Sequence, residues 1–296
     1  MEKEILLNNF VDYLRKQGLR ITTYNGYKNA ANQFLEYLKN AQIDYLQVSY
    51  SDILSYINYS KEKGNKKSSI NGSLNSIRHF YNYLQTEKKV TSNPVGTLRI
   101  RNVTRRTPHD LLEPQELEQI YHDFKTTGVT GKRNKAILGL IIYQGLNISE
   151  LTAIEPTDIN LETGKIYVPQ TSRSNSRTMK LESFQILQLQ KYITQVRPVI
   201  LAVAEKQSDK LFISMGKSKH MNNSYMKLLR HVRKLNPRVK DFYQIRASIL
   251  TEWLKKYNIR QVQYMAGHRY ISSTEVYRTD TIESLQEMIN KLHPLQ

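Results

Sequence analysis

Apolar side chains recur at three- and four-residue spacing along most of this chain, a pattern that predicts a mainly α-helical protein. In the first hundred residues the stripes mark four helices. Leu6, Phe10 and Leu14 line the first, which ends at Gly18. Thr22 or Thr23 is placed to cap the second, lined by Tyr24, Tyr27, Ala31, Phe34, Leu35 and Leu38. A third runs from Tyr50 to Ile57, begins at Ser51 and is closed by the polar run KEKGNKK. Ser68 or Ser69 opens the fourth, with Ile70, Leu74, Ile77, Phe80, Tyr81 and Leu84 inward and Asn93-Pro94 at its exit.

From His109 the pattern changes. Leu112 to Phe124 reads as a helix with Pro114 in its first turn, where a missing N–H does no harm. Arg133 to Leu146 is apolar enough to be a central, buried helix ending at Gly145-Leu146. Lys165 to Pro169 and Arg177 to Leu181 read as two strands joined by the turn QTSRSNS. An amphipathic helix starts at Glu182, an apolar piece covers Leu211, Phe212 and Ile213, and a basic helix spans Ser224 to Lys234 with Tyr225, Leu228, Leu229 and Val232 inward. In the stretch FYQIRASILTEWLKK, Ile245, Ile249, Leu250 and Trp253 mark one face for burial, and Tyr243 and Arg246 share the other. A short amphipathic turn, Ile259 to Met265, breaks at Gly267, and Ile282 to Leu292 predicts one last helix.

Length and charge turn this pattern into an organisation. With 296 residues the chain suits two domains. The expected division is a helical domain over 1–98, a linker over 99–108 and a mixed α+β domain over 109–296. The linker RIRNVTRRTP has no apolar period and holds four arginines, so it reads as a connection lying on DNA. Lys plus Arg number 44 against 26 Asp plus Glu, a formal charge of +18 shared by both halves, which makes a polyanion the expected partner. Lys61, Lys63, Lys66, Lys67, Arg101, Arg105, Arg106, Lys227 and Arg230 are the candidates for phosphate contacts. The chain has no cysteine, which excludes disulfides, thiolate metal sites and cysteine nucleophiles. Its N-terminus lacks signal-peptide order and no apolar run is long enough for a membrane span, so the expected location is the cytoplasm.

Candidate chemistry gathers near the C-terminus. His268 follows the break at Gly267, and Tyr277 lies nine residues further on; with Tyr243 and Arg246 they can surround one phosphodiester. The order Y-x-x-R, then G-H, then Tyr resembles the C-terminal signature of the tyrosine recombinases, the phage integrases and chromosome-dimer-resolving recombinases. G-L-N-I-S-E-L, residues 145–151, is similar to that family's G-L-R-I-S-E-L, and T-Y-x-x-Y followed by F-x-x-Y-L resembles its N-terminal DNA-clamping domain.

The resemblance implies a helical DNA-clamping domain and a mixed α+β catalytic domain. It also implies Tyr277 as the nucleophile, Arg246 and His268 as phosphate ligands, and a 3′-phosphotyrosine intermediate that needs no ATP, cofactor or metal. The implied partners are duplex DNA, further copies in a tetramer on DNA docked through the C-terminal tail, and a second, partner recombinase. Three positions depart from the family pattern. Tyr243 replaces its first His, Asn147 stands where its first Arg belongs, and Ser172 takes the place of the hairpin Lys, leaving Arg173 one residue along as a stand-in. Two functions therefore fit: a recombinase or mobile-element integrase that cuts and rejoins DNA, or a DNA-binding relative with no useful cleavage, acting as an architectural or regulatory subunit.

Overall fold

A computed structural model describes residues 2–101, 110–216, 218 and 220–278. The chain divides into two compact units, Met1–Arg105 and Arg106–Gln296. The first unit is built by α1 (Glu2–Lys16), α2 (Ile21–Asn40), α3 (Tyr50–Glu62) and α4 (Lys67–Thr86). Their stripes meet in one aromatic core. Phe10 packs edge-on to Phe80 at 5.3 Å between ring centres, and Phe34 does the same to Tyr56 at 4.9 Å. Each fully buried Phe, Leu or Ile there contributes about 1.5–3 kcal/mol of transfer free energy. Tyr81 is buried with its hydroxyl donating to the Tyr45 carbonyl at 2.9 Å, which removes the penalty of an unpaired O–H.

Helix starts differ from those read in the sequence because other residues take the cap. Arg20, with no side-chain bond, precedes α2, so neither Thr22 nor Thr23 caps it. Ser49, not Ser51, opens α3 in a reciprocal capping box with Asp52. That helix runs through Lys61 to Glu62, since the charged residues after Ile57 are good helix formers. Lys66, not Ser68 or Ser69, immediately precedes α4. Asn71 holds both the N–H and the carbonyl of Ile100, and Arg78 donates to the carbonyls of Gly96 and Leu98, so this segment is fastened to α4.

The second unit opens with α5 (Pro114–Asp123) and α6 (Gly128–Gln144). α6 is buried almost all round and even takes in Lys135. That ammonium donates to the carbonyls of Tyr121, His122 and Phe124 around the end of α5, so its burial is compensated by acceptors a helix terminus leaves open. α7 (Ile148–Ala153) leads to a three-stranded antiparallel sheet, β1 (Ile159–Asn160), β2 (Lys165–Val168) and β3 (Arg177–Lys180), in the order β1-β2-β3. Ile166 pairs with Met179 and Val168 with Arg177, placing those four side chains on the buried face. The edge strand β1 has two residues, too few to show an alternation.

α8 (Ser183–Lys191), a π-helical turn (Tyr192–Val196) and α9 (Arg197–Val203) follow, then α10 (Asn222–Leu235), α11 (Phe242–Lys256), α12 (Ile259–Ala266) and α13 (Ser272–Glu275). α10 buries Tyr225, Leu228, Leu229 and Val232. α11 is central: every residue from Gln244 to Thr251 is buried. Arg246 therefore does not sit on an outward face, contrary to the two-faced reading of this helix. No helix among the described residues is long and apolar enough to cross a membrane. The tail helix expected over 282–292 lies outside the described residues.

Candidate active site

Two glycines set the backbone of the site. Gly145 ends α6 in the left-handed region at φ 59°, which turns its carbonyl toward α11. Gly267 ends α12 at φ 67°, and a Cβ there would lie 2.4 Å from Arg177 Nη1. No larger residue fits that approach. The segment after Gly267 is stitched to the β2–β3 turn: Asn175 N–H donates to the Gly267 carbonyl at 2.8 Å, and Ser174 and His268 form an isolated antiparallel bridge. Arg269 adds a bond to the Thr171 carbonyl at 3.0 Å.

A buried charge cluster lies under that junction. Glu150 is fully buried on α7 and accepts from Arg177 at 2.8 Å through one oxygen and from Arg246 at 3.3 Å through the other. Burial pushes its carboxyl toward higher pKa, but the Arg177 bond and the Arg246 charge outweigh it and hold the group below the usual carboxylate range. Arg246 donates from Nη1 to the Gly145 carbonyl and from Nη2 to the Ala266 carbonyl at 2.6 Å. Burial lowers its pKa, with Glu150 opposing. A guanidinium has five N–H donors. Three of those on Arg246 have acceptors within the described residues, which leaves Nε–H and one Nη2–H for a ligand. Arg177 is buried too; its Nε donates to Met265 O at 2.6 Å, and its Nη2 has no partner among the described residues.

His268 and Tyr277 stand against this cluster. Their rings are near-parallel, 16° apart with centres at 5.9 Å, and the Tyr243 ring lies 6.4 Å from that of Tyr277. Tyr277 is 6 % exposed and packs with Ala247, Leu250 and Ala266. Thr251 fixes its backbone by donating to its carbonyl at 3.3 Å. His268 Nδ1 lies 2.9 Å from Thr274 Oγ1. Burial, followed by the charges of Arg246 and Arg177, holds the imidazole down to about 4, so it is neutral near pH 7. A fixed cation, a neutral imidazole and a phenol are thus side by side, a set that can take a phosphodiester and attack it.

Asn147 has a different occupation. Its side chain accepts from Glu150 N–H at 3.0 Å and its own N–H donates back to Glu150, a capping box that starts α7. Ser172 and Arg173 are exposed in the β2–β3 turn beside the His268 segment. Glu150, Arg177 and Thr274 were not among the candidates read from the sequence. Glu150 did carry a signal, as the one acid within G-L-N-I-S-E-L. Among the described residues no group of three or more His, Cys, Asp or Glu is placed to hold a metal.

The basic candidates fall on separate surfaces. Lys61, Lys63, Lys66 and Lys67 are exposed around the α3–α4 junction, with Lys63 over the Tyr59 ring at 4.5 Å, and Arg101 is exposed. Arg105 and Arg106 lie outside the described residues. Lys227 and Arg230 line an open hollow on α10 with His231 and Lys234.

Comparison with known proteins matches residues 110–283 to the profile described as Phage integrase family, and residues 7–88 to Phage integrase, N-terminal SAM-like domain. A tyrosine recombinase XerC of Anoxybacillus flavithermus is 27% identical over 298 residues, covering 97% of both chains. A XerC of Pelotomaculum thermopropionicum is 30% identical over 225 residues, covering 73% of this chain and 71% of its own. Among solved structures, the Tn1549 transposon integrase in complex with transposon right end DNA superposes with a TM-score of 0.70 at 18% identity, over 97% of this chain and 99% of its own.

Proposed function

This chain belongs to the phage integrase family of tyrosine recombinases, and on that premise we propose that it is a site-specific recombinase that cuts and rejoins duplex DNA through a 3′-phosphotyrosine. Tyr277 Oη attacks the phosphorus; the new O–P bond forms as the bond to the 5′ oxygen breaks. The phenol proton ends, through solvent, on the released 5′ hydroxyl. The energy of the DNA linkage is kept in the phosphotyrosine, and attack by the 5′ hydroxyl of another strand restores it.

The observation that carries this reading is the fixed Arg246 guanidinium, two of whose N–H donors are uncommitted among the described residues, beside Tyr277 and His268. Charge that builds on the phosphoryl oxygens meets donors already in place. Tyr243 packs beside Tyr277 and helps orient the phosphate. Asn147 supplies no charge there, and Arg173, exposed in the turn, or another basic group takes the place of the missing cations. Lys61, Lys63, Lys66, Lys67 and Arg101 in one unit, with Lys227 and Arg230 in the other, contact backbone phosphates, and Arg105 and Arg106 extend that set. The domain division proposed with this function is 1–98, 99–108 and 109–296. Several copies act together on DNA, a second recombinase can share the site, and the cytoplasm is where it works.

A nicked duplex carrying the target site traps the intermediate, because the cleaved 5′ fragment diffuses away. The full chain should give a covalent protein–DNA adduct that Tyr277→Phe abolishes while leaving binding intact. Tight, salt-dependent binding with no adduct would reject cleavage and leave a DNA-binding relative.

A further inference from the structure

We propose that Thr274 is a positioning residue that fixes His268 as a hydrogen-bond donor through Nε2–H to the phosphate under attack. The inference rests on the cleavage reading above and assigns the state of one of its groups.

Thr274 is completely buried, and its Oγ1 lies 2.9 Å from His268 Nδ1. A threonine hydroxyl has one proton to give and needs an acceptor for it when water is excluded. A helical Thr ordinarily donates to the carbonyl four residues back. Here Thr274 Oγ1 makes no bond to that carbonyl, of Tyr270, and His268 Nδ1 is the polar atom of the described residues that it bonds. A buried O–H without an acceptor costs about 1–3 kcal/mol. Nδ1 must therefore be the acceptor. A neutral imidazole with Nδ1 bare carries its proton on Nε2.

The surroundings agree with that state. Arg246 from α11 and Arg177 from β3 oppose a second proton on the ring, Glu150 from α7 favours one, and Tyr277 stacks on it without charge; burial and the two cations prevail. A hydroxyl donating to Nδ1 also stabilises the neutral ring. His268 is thus a neutral donor to the phosphoryl oxygen. It is not the group that receives the Tyr277 proton, which is consistent with solvent carrying it.

The test uses 15N-labelled full-length protein, with His268 assigned by comparison with His268→Gln. The expected spectrum has Nε2 protonated and Nδ1 bare, and Thr274→Val, which keeps the shape and removes the hydroxyl, abolishes that preference. On the nicked substrate Thr274→Val should cleave about tenfold to a hundredfold more slowly with DNA affinity unchanged, as expected for loss of a group that orients a ligand. Thr274→Ser should restore the rate. A proton found on Nδ1, or wild-type cleavage by Thr274→Val, overturns the inference. Should Thr274→Val fail to fold, the wild-type nitrogen spectrum decides it. If the unaltered protein forms no adduct, the cleavage reading fails instead, and the spectrum still reports on Thr274.

Discussion

The two units of this chain use the same helical stripes but bury different things. In the first, the buried side chains are aromatic and aliphatic, and Ser60 and Ser76 are the buried polar residues among those described. The second buries Arg133, Lys135, Glu150, Arg177 and Arg246. A buried charge costs several kcal/mol unless it is paired and hydrogen-bonded, so each of these needs a local reason. Lys135 clamps the end of α5, and Arg133 holds the Ile213 carbonyl at 2.7 Å. The other three form one cluster around Glu150. Burial of charge therefore does not mark chemistry by itself. What sets the cluster apart is a guanidinium with donors to spare beside a phenol and a neutral imidazole.

The contrast is broken most strongly at Glu150. Glu150→Ala leaves two buried guanidiniums without their shared carboxylate and should destabilise the second unit by about 3–5 kcal/mol. Trp253 is the chain's single tryptophan and lies on α11, so its fluorescence reports that unit. Phe34→Ala, a cavity of similar cost in the first unit, should lower helical stability by about 3–5 kcal/mol and leave the Trp253 transition in place. Equal displacement of the Trp253 transition by both would show that the two cores do not unfold separately. A smaller change sharpens the comparison. Asn147→Arg should cost about 1 kcal/mol through loss of the α7 cap, while raising cleavage by up to about a hundredfold through an added cation. An unchanged rate would mean that position 147 does not face the phosphate.

Much of this was legible in the sequence. The stripes at Phe10, Phe34, Ile70 and Phe80 are the observed core, because burial follows helical period directly. Helix starts were less legible: Ser49 and Ser51 are both competent caps, and only the reciprocal bond from Asp52 selects the first. Arg246, His268 and Tyr277 could be named from their order in the chain, and they do come together. Arg177 could not, since its pairing with Glu150 joins β3 to α7 across 27 residues and leaves no local pattern. Asn147 was visible as a departure, but its capping role depends on Glu150 turning back toward it.

Of the 20 tyrosines in this chain, Tyr277 is the proposed nucleophile, set apart by the buried cluster it stands against. Protease digestion of the trapped adduct, with mass spectrometry of the peptide that retains nucleotide, tests it most directly. The nucleotide should be on Tyr277. Its presence on Tyr243, Tyr264 or Tyr270 would contradict the account.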